Sequence, residues 1–208
     1  MKKMLLASSG PSSSRKIKKI FLKLSGKSPK DIKVLAMICA KDKSRERRYP
    51  QGIRKDLRKL GIRPKNITFA NIHKNISAKS FSKMEFDVFL SWGGNTFLIL
   101  DRVRKTGFDK FIKRIVNQGK LYFGSSAGSI IVFKSIEIAG WGSEGDENSI
   151  RLKNLKGLDI FDVAIFPHYH KELRKEVLEF KKSAKYKVQE LRDGEAVLVL
   201  GKSKKLIK

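Results

Sequence analysis

The sequence predicts an α/β fold: a doubly wound, mostly parallel sheet with helices on both faces and a hairpin at the C-terminal end. Three observations support this prediction. Short apolar runs recur along the 208 residues, and stretches with apolar residues at helical spacing separate them. Some of the runs are apolar throughout, which is typical of parallel strands buried on both faces. The length and the 40% hydrophobic content predict one globular domain over residues 1–208.

The predicted elements alternate in chain order. The apolar runs predict strands over 4–7, 32–39, 67–72, 86–90, 121–123, 163–167, 188–191 and 196–200. Apolar residues at helical spacing predict helices over 17–24, 53–60, 97–103, 108–115 and 173–180, and Gly26, Gly61 and Gly119 end three of these. The charged residues 41–50 predict a loop, and residues 134–150 a loop or a hairpin. The turn 192–195 predicts a hairpin between the last two runs.

Several classes of protein are excluded or disfavoured by composition. No apolar run approaches the roughly 18 residues of a membrane span. The apolar centre of the N-terminal stretch, residues 4–7, is too short for a signal peptide, so we expect a cytoplasmic protein with no membrane partner. Cys39 is the only cysteine, which excludes an internal disulfide and disfavours a cysteine-based metal site. Its apolar neighbours predict a small buried hydrophobe. No metal and no cofactor is predicted.

The chain is strongly basic. Its 47 Lys and Arg residues against 20 Asp and Glu residues give a net charge of +27. The lysines are spread along the whole chain, which is typical of a solvated surface, so nucleic-acid binding is not favoured. A positive field attracts acidic ligands, and we therefore expect an anionic peptide substrate.

A candidate nucleophile lies in the G-x-S-x-G pattern of residues 124–128, which is centred on Ser126. The apolar run 121–123 precedes it and the apolar residues 130–133 follow, which predicts a strand, a tight turn and a buried helix. This is the context of a nucleophile elbow, with the free N–H groups and positive dipole end of a helix close to the serine. A Gly/Ser turn without chemistry is the alternative, but the flanking strand and helix favour the elbow.

A serine nucleophile needs a base within hydrogen-bond reach. Of the three histidines, His168 follows the predicted strand 163–167 at its carboxyl end, where sites lie in such sheets, and we favour it as the base. His170 is the weaker candidate, and His73 is interpreted as a solvated loop residue. The glycines of the loop 91–96 could supply an oxyanion donor.

These arguments do not decide which acidic residue orients His168. Asp193 and Glu195 lie in the turn 192–195, while Asp146 and Glu144 lie in the loop after the elbow helix.

Three motifs together resemble those of the serine peptidases of the peptidase E (aspartyl dipeptidase) and cyanophycinase family. They are Gly93-Gly-Asn-Thr-Phe97, the stretch 119–128 and Phe166-Pro-His-Tyr169, in the same order as in the family. The resemblance covers nearly the whole chain. It implies a class I glutamine amidotransferase-like fold, with Ser126 as nucleophile and His168 as base.

The resemblance also implies roles for other residues. The oxyanion donors would be the N–H groups of Ala127 and Gly94. Peptidase E has an acidic residue soon after the nucleophile helix, whereas cyanophycinases place a Glu after the histidine, near Asp193. We therefore favour Asp193 as the third member and keep Asp146 as the alternative.

Two substrate-binding residues are predicted, and Arg174 is one of them because it falls just after His168. Asn95 in the Gly-Gly-Asn loop is the other, and Arg174 could clamp a carboxylate. The segment that carries the substrate-binding arginine of peptidase E is shortened here to residues 170–174, which leaves a preference for N-terminal aspartate open.

The leading hypothesis is a cytoplasmic serine peptidase that hydrolyses short peptides, Asp-X dipeptides among them, by a Ser-His-acid mechanism. A homodimer is compatible with it. The branched or β-linked aspartyl peptides of the cyanophycinase branch are a further candidate substrate. The alternative from another class is a binding or regulatory protein of the same fold, without turnover, with an anionic partner such as RNA.

Overall fold

The computed structural model describes residues 1–74 and 76–208. Its centre is an open sheet formed by seven strands: β1 Lys3–Ala7, β2 Val34–Ile38, β3 Ile67–Asn71, β4 Val88–Ser91, β5 Leu121–Ser125, β8 Ala196–Leu200 and β9 Ser203–Ile207. Their spatial order is β3-β2-β4-β5-β1-β8-β9. The first five strands in the chain are parallel, and β8 and β9 are added antiparallel next to β1. The fold class predicted from the sequence is confirmed.

A second, two-stranded sheet lies beside the large one. It pairs β6, Ala164–Phe166, in parallel with β7, Val188–Glu190. The hairpin predicted across residues 192–195 is therefore wrong, because β7 and β8 belong to different sheets. The C-terminal hairpin is instead formed by β8 and β9. The sequence signal was a turn between two apolar runs, and a turn does not reveal which strand each run pairs with.

Helices cover both faces of the large sheet, as predicted. They are α1 Arg15–Ser25, α2 Lys43–Lys59, α3 Thr96–Lys105, α4 Phe108–Asn117, α5 Ala127–Ile130 and α6 Arg174–Ser183. Strand β1 shows why two layers form: Leu5 and Ala7 face the core under α1 and α2, while Met4 and Leu6 face the core under α3, α4, α5 and α6. Cys39 is buried as expected, and burial raises the pKa of its thiol to about 12. Among the described residues, no helix has the length and apolar character needed to cross a membrane.

Two predicted segments differ from the structure near α2 and α5. Residues 43–50, predicted as part of a loop, form the first half of α2. The Asp42 carboxylate starts this helix by accepting from the N–H of Arg45 at 2.8 Å, and Pro50 is tolerated inside the helix. The elbow helix α5 spans only four residues, and the apolar residues after Ile130 continue as turns.

The two glycines of the G-x-S-x-G pattern permit close backbone approach. A Cβ on Gly128 would lie 2.3 Å from the carbonyl oxygen of Ser91, and one on Gly124 would lie 2.7 Å from the carbonyl oxygen of Gly128. The buried Tyr122 hydroxyl donates to the same Gly128 carbonyl at 2.6 Å. The elbow is therefore pressed against the end of β4, and both positions require a residue without a side chain.

We expect Gly128→Ala to destabilise the fold by about 1–3 kcal/mol, because the added methyl group meets backbone that cannot move independently. Gly52→Ala is the matched control, since Gly52 lies inside α2 and a Cβ added there would meet no neighbouring atom within 4 Å. That change should stabilise by about 0.5–1 kcal/mol. Chemical denaturation of both variants measures the two values, and equal effects would contradict the close-approach argument.

Candidate active site

The carboxyl ends of β1, β4 and β5 meet at one edge of the sheet because these strands are parallel neighbours or next neighbours. Ser8 directly follows β1, the loop with Gly93 and Gly94 follows β4, and Ser126 follows β5. This edge is where doubly wound sheets place their sites. The candidate site is thus assembled from loops that the sheet holds at fixed spacing.

Ser126 has a strained backbone. Its φ of 52° and ψ of −117° lie where a residue with a side chain is rarely found, and the helix α5 begins directly after it. Its N–H donates to the carbonyl of Ala7 at 3.0 Å, which fixes the turn to the end of β1. Strain of this kind costs about 1–3 kcal/mol and persists where the surroundings enforce it. The consequence here is that the hydroxyl projects from the tip of the turn.

A line of hydrogen bonds runs from Ser126 through His168 to Asp193. The His168 ring places Nε2 2.9 Å from Ser126 Oγ and Nδ1 2.9 Å from Asp193 Oδ1. The structure brings together the three residues that we favoured from the sequence. His73 lies outside this group, in the turn after β3, where burial lowers its pKa.

The parallel pairing of β6 and β7 accounts for the meeting of His168 and Asp193. Phe166 is the register partner of Glu190, so residues that follow the two strands leave from the same edge. The pairing continues beyond the strands, since the N–H of Tyr169 donates to the carbonyl of Leu191 at 3.0 Å. A hairpin across 192–195 would not have produced this arrangement.

Ser8 belongs to the candidate site, and the sequence argument missed it. Its fully buried hydroxyl donates to Asp193 Oδ1 at 2.7 Å and accepts from the backbone N–H of His168 at 2.8 Å. One side chain therefore holds both the histidine and the aspartate of the line. The position after β1 at the carboxyl edge of the sheet was the available signal, but several serines follow β1 and nothing in the sequence singles out Ser8.

Asp146, the alternative acid, has a different position. Its Oδ2 accepts from the N–H of Thr96 at 2.8 Å and from the Thr96 hydroxyl at 2.6 Å, at the start of α3. The other two candidates do not touch the His168 ring either: Glu195 accepts from the N–H of Arg192, and Glu144 contacts His170. Asp193 is the candidate whose hydrogen bond reaches the His168 ring.

Neither of the two predicted substrate-binding residues is among those that line the cavity at Ser126. Asn95 caps α3 by accepting from the N–H of Leu98 at 3.0 Å, and its amide nitrogen donates to the carbonyl of Glu147 at 2.8 Å. Arg174 is exposed at the start of α6 and is not among the residues that line the cavity at Ser126. Their roles toward substrate stay predictions.

Backbone N–H groups are available beside Ser126. Those of Ala127 and Gly94 donate no hydrogen bond to residues 1–74 or 76–208. Gly94 has a φ of 142°, which favours glycine, and Gly93 approaches so closely that a Cβ there would lie 3.2 Å from Ser126 Cβ. The arrangement can accommodate a negatively charged oxygen next to Ser126.

A cavity of about 200 Å³ opens next to Ser126 and His168. Apolar side chains form much of its lining, and two carboxylate residues, Glu144 and Asp146, also line it. No Lys or Arg is among the described residues that line it. Across the part of the chain that the structure describes, no group of three His, Cys, Asp or Glu side chains is placed to hold a metal ion.

His170, the weaker candidate base, lies at the edge of this cavity between two carboxylates. Its Nδ1 is 2.7 Å from Glu172 and its Nε2 is 3.1 Å from Glu144. The hydrogen bond with Glu172, followed by the one with Glu144, raises the pKa of His170. His170 thus holds Glu144 and does not contact Ser126.

The comparisons with known proteins identify the chain. The model of peptidase family S51 matches residues 4–207. The chain belongs to peptidase family S51. It is a serine-type peptidase, in agreement with the enzyme class expected from the sequence and with the suspected peptidase E-like family.

Two curated relatives and two solved structures agree with this placement. An uncharacterized peptidase of Listeria innocua is 31% identical over 73% of this chain and 72% of its own, and one of Listeria monocytogenes is 27% identical over 74% and 75%. A candidate peptidase E of Listeria monocytogenes superposes with a TM-score of 0.79 at 24% identity, covering 100% of this chain and 98% of its own. A peptidase from an acI-B1 Actinobacterium gives 0.74 at 16% identity, covering 100% and 87%. The two structures show that the fold is shared.

We expect Ser8→Ala to lower kcat by about tenfold to a hundredfold, because a hydrogen bond to a charged group is worth about 1.5–3 kcal/mol and both His168 and Asp193 lose a partner. KM should change little, since Ser8 does not line the cavity. Ser9→Ala is the matched control: Ser9 accepts only a longer bond, 3.3 Å, from the N–H of Gly194. Steady-state kinetics on a cleaved peptide measures both, and a loss confined to KM would contradict the positioning role.

Proposed function

We propose that this S51 peptidase hydrolyses short peptides through a Ser126–His168–Asp193 triad. One observation carries the proposal: the His168 ring lies 2.9 Å from both the serine oxygen and the aspartate oxygen, through its two different nitrogens. A histidine that receives a proton at Nε2 while Nδ1–H is held by a carboxylate is the arrangement that activates a serine.

The chemistry proceeds by acyl transfer. Ser126 Oγ attacks the peptide carbonyl and its proton passes to His168 Nε2, while Asp193 stabilises the imidazolium through Nδ1–H. The N–H groups of Ala127 and Gly94 bind the oxygen that becomes negative. The protonated histidine then gives its proton to the leaving amine. A water molecule, deprotonated by His168 in turn, releases the acyl group from the serine.

The restriction to short peptides is supported by the size of the cavity. Its 200 Å³ lies below the roughly 300–1,000 Å³ of pockets for drug-sized ligands, so we expect it to take about one residue of a substrate. We propose Asp-X dipeptides as one substrate class, in which the +27 charge of the chain draws in an anionic peptide. The proposed location is the cytoplasm.

Ser126→Ala should abolish hydrolysis and leave folding intact, because the half-buried Ser126 side chain is not part of the core. A fluorophosphonate should label wild-type protein at Ser126 and leave the variant unlabelled. Peptide mass spectrometry locates the label, and thermal unfolding checks the fold. Activity within a few-fold of wild type, or labelling at Ser125, would refute the assignment.

Asp193→Asn should lower kcat by about 10²–10⁴-fold, because the amide favours the wrong histidine tautomer. Asp146→Asn is the matched comparison. The amide keeps an acceptor oxygen for Thr96, so this change should cost less stability than the about 0.5–2 kcal/mol of a cap replaced by Ala, with kcat nearly unchanged. Kinetics and thermal unfolding of both variants separate the two roles, and the reverse pattern would give the role of the acid to Asp146.

A further inference from the structure

We infer that Glu144 binds a protonated amine carried by the residue whose carbonyl Ser126 attacks. This inference rests on the proposed function, because it assigns the substrate group that occupies the cavity beside the nucleophile. It concerns recognition at contact range, where the local charge of the cavity counts for more than the charge of the whole chain.

The cavity has the opposite charge to the protein surface. Glu144 and Asp146 line it together with Ser126 and His168, and no Lys or Arg of the described chain does. The remaining lining is largely apolar, as in Ile138. A cavity of this composition offers a substrate carboxylate no cationic side chain, whereas it offers an ammonium group a carboxylate.

Each carboxylate keeps one oxygen, Oδ1 of Asp146 and Oε2 of Glu144, without a hydrogen bond to the described residues, but Asp146 accepts two bonds at the start of α3 whereas Glu144 accepts one. Asp146 uses Oδ2 for two hydrogen bonds with Thr96 at the start of α3. Glu144 accepts from His170 at Oε1, and its Oε2 makes no hydrogen bond with residues 1–74 or 76–208. An ammonium group has three donors and no acceptor, so it matches an oxygen of this kind.

The three linked side chains Glu144, His170 and Glu172 carry a net negative charge whichever form His170 takes. Glu144 and Glu172 contribute −2, and a protonated His170 between them changes the sum to −1. The titration of His170 therefore does not remove the attraction for a cation. Its hydrogen bond to Oε1 instead fixes the orientation of the carboxylate.

The loop that carries Glu144 is held on both sides. Before it, the N–H and hydroxyl of Ser143 donate to the Glu176 carboxylate of α6 at 2.7 and 2.9 Å. After it, the N–H of Asp146 donates to the carbonyl of Ala139 at 2.6 Å. Ser143 and Glu144 form a turn that the N–H of Gly145 closes by donating to the carbonyl of Gly142 at 3.2 Å, and a Cβ on Gly145 would lie 2.7 Å from the carbonyl carbon of Gly140. Glu144 is therefore presented to the cavity from a fixed backbone, as a recognition residue requires.

The small volume of the cavity limits which amine of the substrate can lie near Glu144. With room for about one residue, the ammonium near Glu144 is either the free N-terminus of the substrate or a lysine side chain on that residue. We commit to a protonated amine on the acyl side of the scissile bond. An Asp-X dipeptide carries such an ammonium at its N-terminus, and its side-chain carboxylate would have to point away from Glu144 and Asp146.

Binding to the Ser126→Ala protein tests the inference without hydrolysis. Calorimetry should compare Leu-Leu, N-acetyl-Leu-Leu and N-acetyl-Lys-Leu, with and without Glu144→Gln. Because the Glu144 side chain is 57% exposed, we expect Glu144→Gln to weaken Leu-Leu by about twofold to fivefold and to leave N-acetyl-Leu-Leu unchanged. A selective loss for N-acetyl-Lys-Leu instead supports the same site with the side-chain amine as its ligand. Glu179→Gln, an exposed change on α6, is the matched control and should alter none of the three.

Two results would overturn the inference. One is an affinity for Leu-Leu and for N-acetyl-Lys-Leu that Glu144→Gln leaves unchanged. The other is an equal loss for all three peptides, which would make Glu144 a support of the loop. A failure of the proposed function would give a different result, because the Ser126→Ala variant would then still hydrolyse peptides. In a chain that keeps Ser126, Glu144→Gln should raise KM for Leu-Leu by the same factor and leave kcat nearly unchanged.

Discussion

The carboxyl end of β1 supports every member of the candidate triad. The carbonyl of Ala7 accepts from the N–H of Ser126, and the hydroxyl of Ser8 binds both the backbone of His168 and the carboxylate of Asp193. The Ser129 hydroxyl, 2.8 Å from the same Ala7 carbonyl, ties α5 to this point as well. Two consecutive residues at the end of a central strand thus set the mutual distances of three segments that lie far apart in the chain.

Close contacts between backbone segments also fix the geometry of the turn at Ser126. Ser126 carries the strained φ, while the glycines on either side of it permit the approach of α5 to β4 and β5. The strain at Ser126 is offset by hydrogen bonds that only this geometry makes, among them the one from the Tyr122 hydroxyl to Gly128. Because these bonds are buried, breaking one leaves an unpaired polar group, which costs about 1–3 kcal/mol. The elbow is therefore rigid before any substrate arrives.

The sequence pattern was sufficient to predict features that depend on residues close together in the chain. The strand ends, the G-x-S-x-G turn and the His after β6 all follow from residues within a few positions of each other, so the sequence could nominate Ser126 and His168, which the structure places 2.9 Å apart. The pairing of β7 with β6 could not, because partner choice depends on the whole sheet. Ser8 could not be singled out for the same reason: its partners at 168 and 193 are remote in sequence. The start of α2 was missed because charged residues and Pro50 outweighed the capping Asp42.

The position of β1 between β5 and β8 has a kinetic consequence. Strands β2 to β5 can pair among themselves, whereas Ala7 finds Ala196 only across nearly the whole chain. Pairings between remote segments are slow to form, since the loop must close before the contact is gained. A chain that has collapsed around its parallel strands but has not yet docked β8 has a core without a positioned Asp193. The placement of Asp193 beside His168 therefore depends on a pairing between the two ends of the chain.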